Sequence, residues 1–271
     1  MSAMPKLCTV DVFYGPQALG NQHHIAYRPA PAWSETPSQY QRVPNLILMS
    51  GGSGAFQAQF LNYDRQVRRC GSGNLAVAAY INEKLKTKPT NELLLTPSGE
   101  IQLGFDHKSA YYLDKPLTQR PLRNFRFWRR LISQPVINGC YCGGRNDYVL
   151  LELSQPLTQL SVNSGALCQF SRRALIVIYR LLSGAVQLRY FAPQYGEVED
   201  AATGSACVQA GAYLRNQYPK SYAHQPIEIK QCSPAGGCLY LKNYQQQVLV
   251  RGRTAMRDST AVFSSFDYTE E

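Results

Sequence analysis

The chain is short of several things, and each shortage narrows what it can be. Acidic residues are outnumbered, with 18 Asp and Glu against 28 Lys and Arg and a formal charge of +10. That balance suits an anionic small molecule, nucleic acid or an acidic partner. Histidine is scarce, with four in all. Neither Cys140 with Cys142 nor Cys232 with Cys238 has a zinc spacing, so no metal site is expected. The eight cysteines are even in number, but nothing around them suggests a secretory setting, and they are read as reduced thiols. No apolar run approaches the length that spans a bilayer. The first residues lack the long apolar segment of a signal peptide. The reading is a soluble, cytoplasmic protein with no membrane partner. Heptads and low-complexity segments are absent. So is the strand–helix alternation that a doubly wound parallel sheet requires.

What is present is β-rich. Hydrophobic residues make up 44% of 271, enough for one large or two medium domains. Residues 7–14 read as a strand ending at Gly15-Pro16, and a Gly-Asn turn leads into a second strand. Residues 29–44 look irregular. Residues 45–50 and 55–63 form a predicted hairpin. A helix is predicted from about Gly73 to Lys86, stopped before Pro89. Three more strands finish the first half near Lys115. The second half repeats the style, with strands at 148–153, 174–182 and 186–191. A helix over 206–214 follows, and then strands at 227–230, 238–242, 247–252 and 254–257. Residues 119–132 form the best amphipathic helix candidate, with Pro121 in its first turn. Leu122, Phe125, Trp128 and Ile132 fall on one side and Arg123, Arg126 and Arg130 on another. It reads as a helix on the core with a solvated basic face. Nucleic-acid binding is not favoured, because no stacking platform or known motif accompanies the arginines.

The chemistry concentrates in Arg189–Leu214, "RYFAPQYGEVEDAATGSACVQAGAYL". A strand leads to three carboxylates, Glu197, Glu199 and Asp200, then to a Gly-Ser turn and a helix start. The free N–H groups of such a helix can hold an anion. The stretch has an echo: "CGSGNLAVAAYI" from Cys70 aligns without gaps on "TGSACVQAGAYL" from Thr203, 133 positions later. Two similar halves follow, each with one Gly-Ser helix start. If the halves pack about a pseudo-twofold axis, both starts face one cleft suited to a carboxylate or enolate. Proton removal there needs a base and often an acid opposite. Asp200 is the candidate from the second half. Cys70 is the candidate from the first, since a helix start can lower a thiol pKa.

Residues 189–206 closely resemble the signature R-x-F-x-P-x-x-G-x-x-E-D-P-x-T-G-S-A of the PhzF-like (phenazine-biosynthesis isomerase-like) family, with Ala201 at the usual Pro. "VDVFYGPQALGNQHHIAY", "CGSGNLAVAAYI" and "QCSPAGGCLYL" are similar to further segments of that family, in the same order. The resemblance implies an α+β fold of the diaminopimelate epimerase-like type: two pseudo-symmetric β-barrel-like lobes, each around a central helix. The lobes would be residues 1–118, completed by the C-terminal residues, and 119–271. It also implies isomerisation of a small anionic substrate by acid–base chemistry without metal or cofactor, in a homodimer. Carried over by position, Asp200 matches the acid/base carboxylate. Substrate contacts are expected from Gly71, Ser72, Gly73, Thr203, Gly204 and Ser205, and from Asn21 of the Gly-Asn pair. Three further positions depart from the pattern. Ser72 stands at the family's first-lobe His, Pro44 or Asn45 at its catalytic Glu, and Ala235 at its late Arg. "C-G-S-G" looks more like the amino-acid racemases of the same superfamily, whose second cysteine would fall at Ala202. An altered member acting as a small-molecule binding or regulatory protein is the alternative.

Overall fold

The structure is a computed structural model that describes residues 5–29, 31–52, 55–86, 92–106 and 109–258. The first part carries β1 (Cys8–Val12), β2 (Asn21–Arg28), β3 (Leu46–Gly52), β4 (Ala55–Asn62) and the short β5 (Arg65–Gln66). Helix α1 (Gly71–Tyr80) follows, then β6 (Glu92–Thr96), β7 (Gly99–Asp106) and β8 (Ser109–Asp114). The next part runs β9 (Gln119–Pro121), α2 (Arg126–Leu131), β10 (Val136–Cys142), β11 (Tyr148–Leu153), α3 (Ser164–Phe170), β12 (Ala174–Arg180) and β13 (Val186–Phe191). The last elements are α4 (Gly204–Gln217), α5 (Pro219–Tyr222), β14 (Ile227–Gln231), β15 (Gly237–Tyr244), β16 (Gln247–Gly252) and β17 (Thr254–Asp258).

Hydrogen-bonded neighbours trace one path: β17, β1, β2, β3, β4, β6, β7 and β8, then β16, β15, β14, β13, β12, β11, β10 and β9, with β5 appended to β4. Strand directions repeat. From β17 to β8 they run antiparallel, antiparallel, parallel, antiparallel, parallel, antiparallel, antiparallel. From β9 to β16 the same series recurs. The two series are the two pseudo-symmetric lobes, and the β8–β16 ladder joins them, with Leu113 opposite Leu249.

Each lobe curls around one helix. In α1 every residue from Gly71 to Ala79 is buried, and in α4 every residue from Gly204 to Leu214. A helix apolar or small on all sides belongs inside a protein. The run of Gly, Ala and Ser lets the strands close around it. One core takes side chains from both lobes, including Leu75, Val77 and Tyr112 from the first and Ile176, Cys207 and Leu239 from the second. Outside the first sheet, the irregular segment 31–45 lays Trp33, Tyr40 and Val43 over Ala26 and Leu48. Outside the second, α2 and α3 set Trp128, Leu131 and Leu167 against Val149, Leu151 and Val177.

The long helix expected over 119–132 is not formed. Gln119–Pro121 pairs as β9 with β10, and only Arg126–Leu131 is helical. The edge of β10 offers backbone partners to residues that a helix would have used in its first turn. The arginines of this segment lie outward, with Arg129 over the Phe125 ring. No helix among the described residues is long and apolar enough to cross a membrane.

Candidate active site

The two central helices meet start to start. A Cβ added at Gly71 would collide with the Ser205 N–H and the Tyr112 hydroxyl, and one added at Gly204 with that hydroxyl and the Gly71 backbone. Only glycine allows this approach at both helix starts. Tyr112 comes from β8, and its buried hydroxyl has no hydrogen-bond partner. Across from it, the Tyr148 hydroxyl donates to Ser205 Oγ at 3.3 Å. Gly71, Ser72, Gly73, Thr203, Gly204 and Ser205, all singled out in the sequence, are buried at this junction.

The two helices begin differently. The Cys70 sulfur caps α1 by accepting from the Gly73 N–H at 3.3 Å, with the Ser72 hydroxyl 3.6 Å away. Helix α4 has no side-chain cap. Its N-cap residue, Thr203, turns its hydroxyl to Asp200 Oδ2 at 2.5 Å instead. The other Asp200 oxygen accepts from Asn21 Nδ2 at 3.0 Å, across the lobe boundary. Gln231 fixes the loop, accepting from the Thr203 N–H at 2.7 Å and donating to the Asp200 carbonyl at 2.8 Å. The first N–H groups of α4 therefore lie beside a carboxylate that neighbours on both sides hold in place.

The other two carboxylates of the loop do different work. Glu199 forms a fork with Arg189, two bonds of 2.6 Å. Glu197 accepts from Asn62 of the first lobe at 2.8 Å. Of the arginines before Cys70, Arg69 pairs with Asp114 at 3.3 Å.

Cys70 differs from expectation. Although the residue keeps some surface, its sulfur is buried, and burial pushes the thiol up to about 11. The bonds from Ser72 and Gly73 pull the other way, and the negative charge of Asp200 pushes further up. The helix start does not make a thiolate here, because desolvation outweighs it.

Four residues at the site carried no signal strong enough to single them out in the sequence. Tyr112 and Tyr148 read as ordinary strand residues until the helix starts are brought together, and Gln231 stood only as the first residue of the segment QCSPAGGCLYL, with no role of its own. His23 is 2% exposed on β2, and its Nε2 has no partner.

Comparison with known proteins agrees with this architecture. A phenazine biosynthesis protein of the PhzF family from Enterococcus faecalis superposes with a TM-score of 0.78 at 15% identity, covering 93% of this chain and 97% of that one. A probable proline racemase from Agrobacterium radiobacter superposes at 0.61 with 11% identity, covering 96% and 94%. The fold is therefore α+β and diaminopimelate epimerase-like. The family model for phenazine biosynthesis-like proteins, PhzC-PhzF, matches residues 129–259. A phenazine biosynthesis-like domain-containing protein of Bos taurus is 26% identical over 204 residues, 68% of this chain and 69% of its own length. The PhzF-like resemblance read from the sequence is borne out.

Proposed function

We propose that the chain is an isomerase or epimerase that moves a proton on the carbon next to a carboxylate or carbonyl of a small anionic substrate. One observation carries the reading: the uncapped start of α4 lies buried against the start of α1, with Asp200 fixed alongside. The substrate carboxylate, or the enolate made from it, sits against the N–H groups of Gly204 and Ser205 and the facing turn of Gly71, Ser72 and Gly73. The Asp200 carboxylate takes the proton, and the C–H electron pair moves onto the enolate oxygen. The Cys70 thiol, pushed up to about 11, keeps its proton at neutral pH. It gives its own proton to carbon as the enolate collapses, which leaves Asp200 protonated and Cys70 a thiolate, and proton exchange with water resets the pair. One base and one acid, one from each lobe, leave a single transferable proton in the site. Asn21 and Thr203 hold the carboxylate while it works. The chemistry these residues supply is proton transfer, with no step assigned to a metal or cofactor. The protein acts in the cytoplasm as a homodimer.

The test is solvent exchange. Small carboxylates with an α-hydrogen are incubated with the protein in D₂O, and the α-proton signal is followed by ¹H NMR. Wild type should wash the signal out with at least one compound. Asp200→Asn should slow this by about 10²–10⁴-fold with an unchanged circular dichroism spectrum. A compound that binds between the lobes but never exchanges in wild type sinks the isomerase reading.

A further inference from the structure

A second buried polar group lies close to this site, and the proton-transfer steps do not use it. His23 is buried on β2 between two contacts that cross from lobe to lobe. Asn21, two positions earlier on the same face, reaches Asp200. His23 and Asn62 each stand one position beyond the His24–Leu46 and Leu46–Leu61 pairings, at the same end of the sheet, and Asn62 reaches Glu197. A row further inward holds Ile25, Ile47 and Phe60. The Phe60 ring lies under Gly73, at the start of α1. That end of the sheet is thus the rim of the first lobe, facing the 197–200 loop and the start of α1.

The Asn45 backbone lies beside the His23 ring. With the proton on the nitrogen facing it, Nε2 is a buried lone-pair acceptor with no partner. Asn21 Oδ1 is a second buried acceptor without a partner on the same face. An unsatisfied buried acceptor is costly and is normally paired. Burial also lowers the His23 pKa to about 4, so the ring is a neutral acceptor throughout the physiological range.

We propose that His23 Nε2 is a specificity-determining acceptor that takes a hydrogen bond from an N–H or O–H group carried by the substrate. On this assignment, which rests on the site described above, the substrate is a small carboxylate bearing an amino, amide or hydroxyl group. The carboxylate lies at the helix starts and the donor group lies against β2. A site built to bond a donor rejects an analogue without one, because the acceptor is then left unpaired.

The experiment uses matched sets that differ only in the 2-substituent: alanine, lactate and propionate; aspartate, malate and succinate; phenylalanine, phenyllactate and 3-phenylpropionate. Binding is measured by calorimetry on the full chain. Wild type should hold a donor-bearing member at least tenfold more tightly than its unsubstituted partner. His23→Leu should reduce that preference to below threefold and leave binding of the unsubstituted compound unchanged. His24→Leu, on the opposite face of β2, should keep the preference. Should His23→Leu fail to fold, ¹⁵N spectra of wild type decide: Nε2 should shift when a donor-bearing compound is added and stay put with its unsubstituted partner. No preference in wild type, a preference that survives in His23→Leu, or an unmoved Nε2 resonance overturns the assignment. Deuterium exchange is scored separately. Loss of exchange with the preference intact would sink the isomerase reading alone.

Discussion

At the scale of single residues, one loop gives three neighbouring carboxylates three different surroundings. Glu199 is bound into a fork with Arg189, the two side chains 11% and 14% exposed. Removing one partner of a pair this buried costs about 3–5 kcal/mol. Glu199→Gln should therefore lower the urea midpoint without changing the exchange rate of the folded fraction. Asp200→Asn should do the reverse. The sign of the pH effects follows from burial. His23 has its pKa lowered from 6.5 to about 4, so the unfolded chain takes up a proton before the folded one does. Its contribution is complete above pH 6.5 and is lost as pH falls toward 4, about 3 kcal/mol in all. In chemical unfolding, His23→Gln should flatten the acid limb over that window. Cys70 acts at the other end. Its raised pKa means that stability falls as pH rises from about 9 to 11, and Cys70→Ser should weaken that fall.

At the scale of elements, the contact between the two helix starts makes the sharpest demand. Gly71→Ala or Gly204→Ala puts a methyl group against backbone and the buried Tyr112 hydroxyl rather than against a flexible chain end. Either should cost about 1–3 kcal/mol by denaturant unfolding and also weaken carboxylate binding, because the starts are pushed apart. Elsewhere on α4, Gly211→Ala meets the Val248 side chain instead, so it should affect stability and leave binding alone. These helices were legible in the sequence because the Gly-Ser repeat is local and both helices are unbroken runs of small and apolar residues. Most of the strands were legible too, from their alternation. The 119–132 segment was misread because its helical periodicity is real, but the β10 edge claims its first residues. Strand β10 itself, "VINGCYC", has too little alternation to be found. Of the residues gathered at the two helix starts, Asp200 and the glycines were singled out in the sequence. Tyr112, Gln231 and His23 were not, because their roles come from contacts between strands far apart in sequence. The sign of the Cys70 shift also depended on burial, which the local motif does not report.

At the scale of the whole molecule, the two lobes share one core and one ladder at β8–β16. They should unfold together. Calorimetry and tryptophan fluorescence, which reports Trp33 in the first lobe and Trp128 in the second, should trace coincident transitions. Separate transitions would mean that the lobes are energetically independent. The closing strands of the lobes are placed unequally along the chain. Strand β9 precedes the strands it completes, whereas β17 pairs with β1 across about 245 positions. During synthesis, the second lobe therefore has all eight of its strands by Gly252, but the first lobe does not. From β8 to β17 the ribosome adds about 140 residues, roughly 7–30 seconds of translation. For that time β1 keeps an open edge, a template for pairing with other chains. The lobe made first is the last to close, and its yield depends on how well the cell shields one unpaired strand.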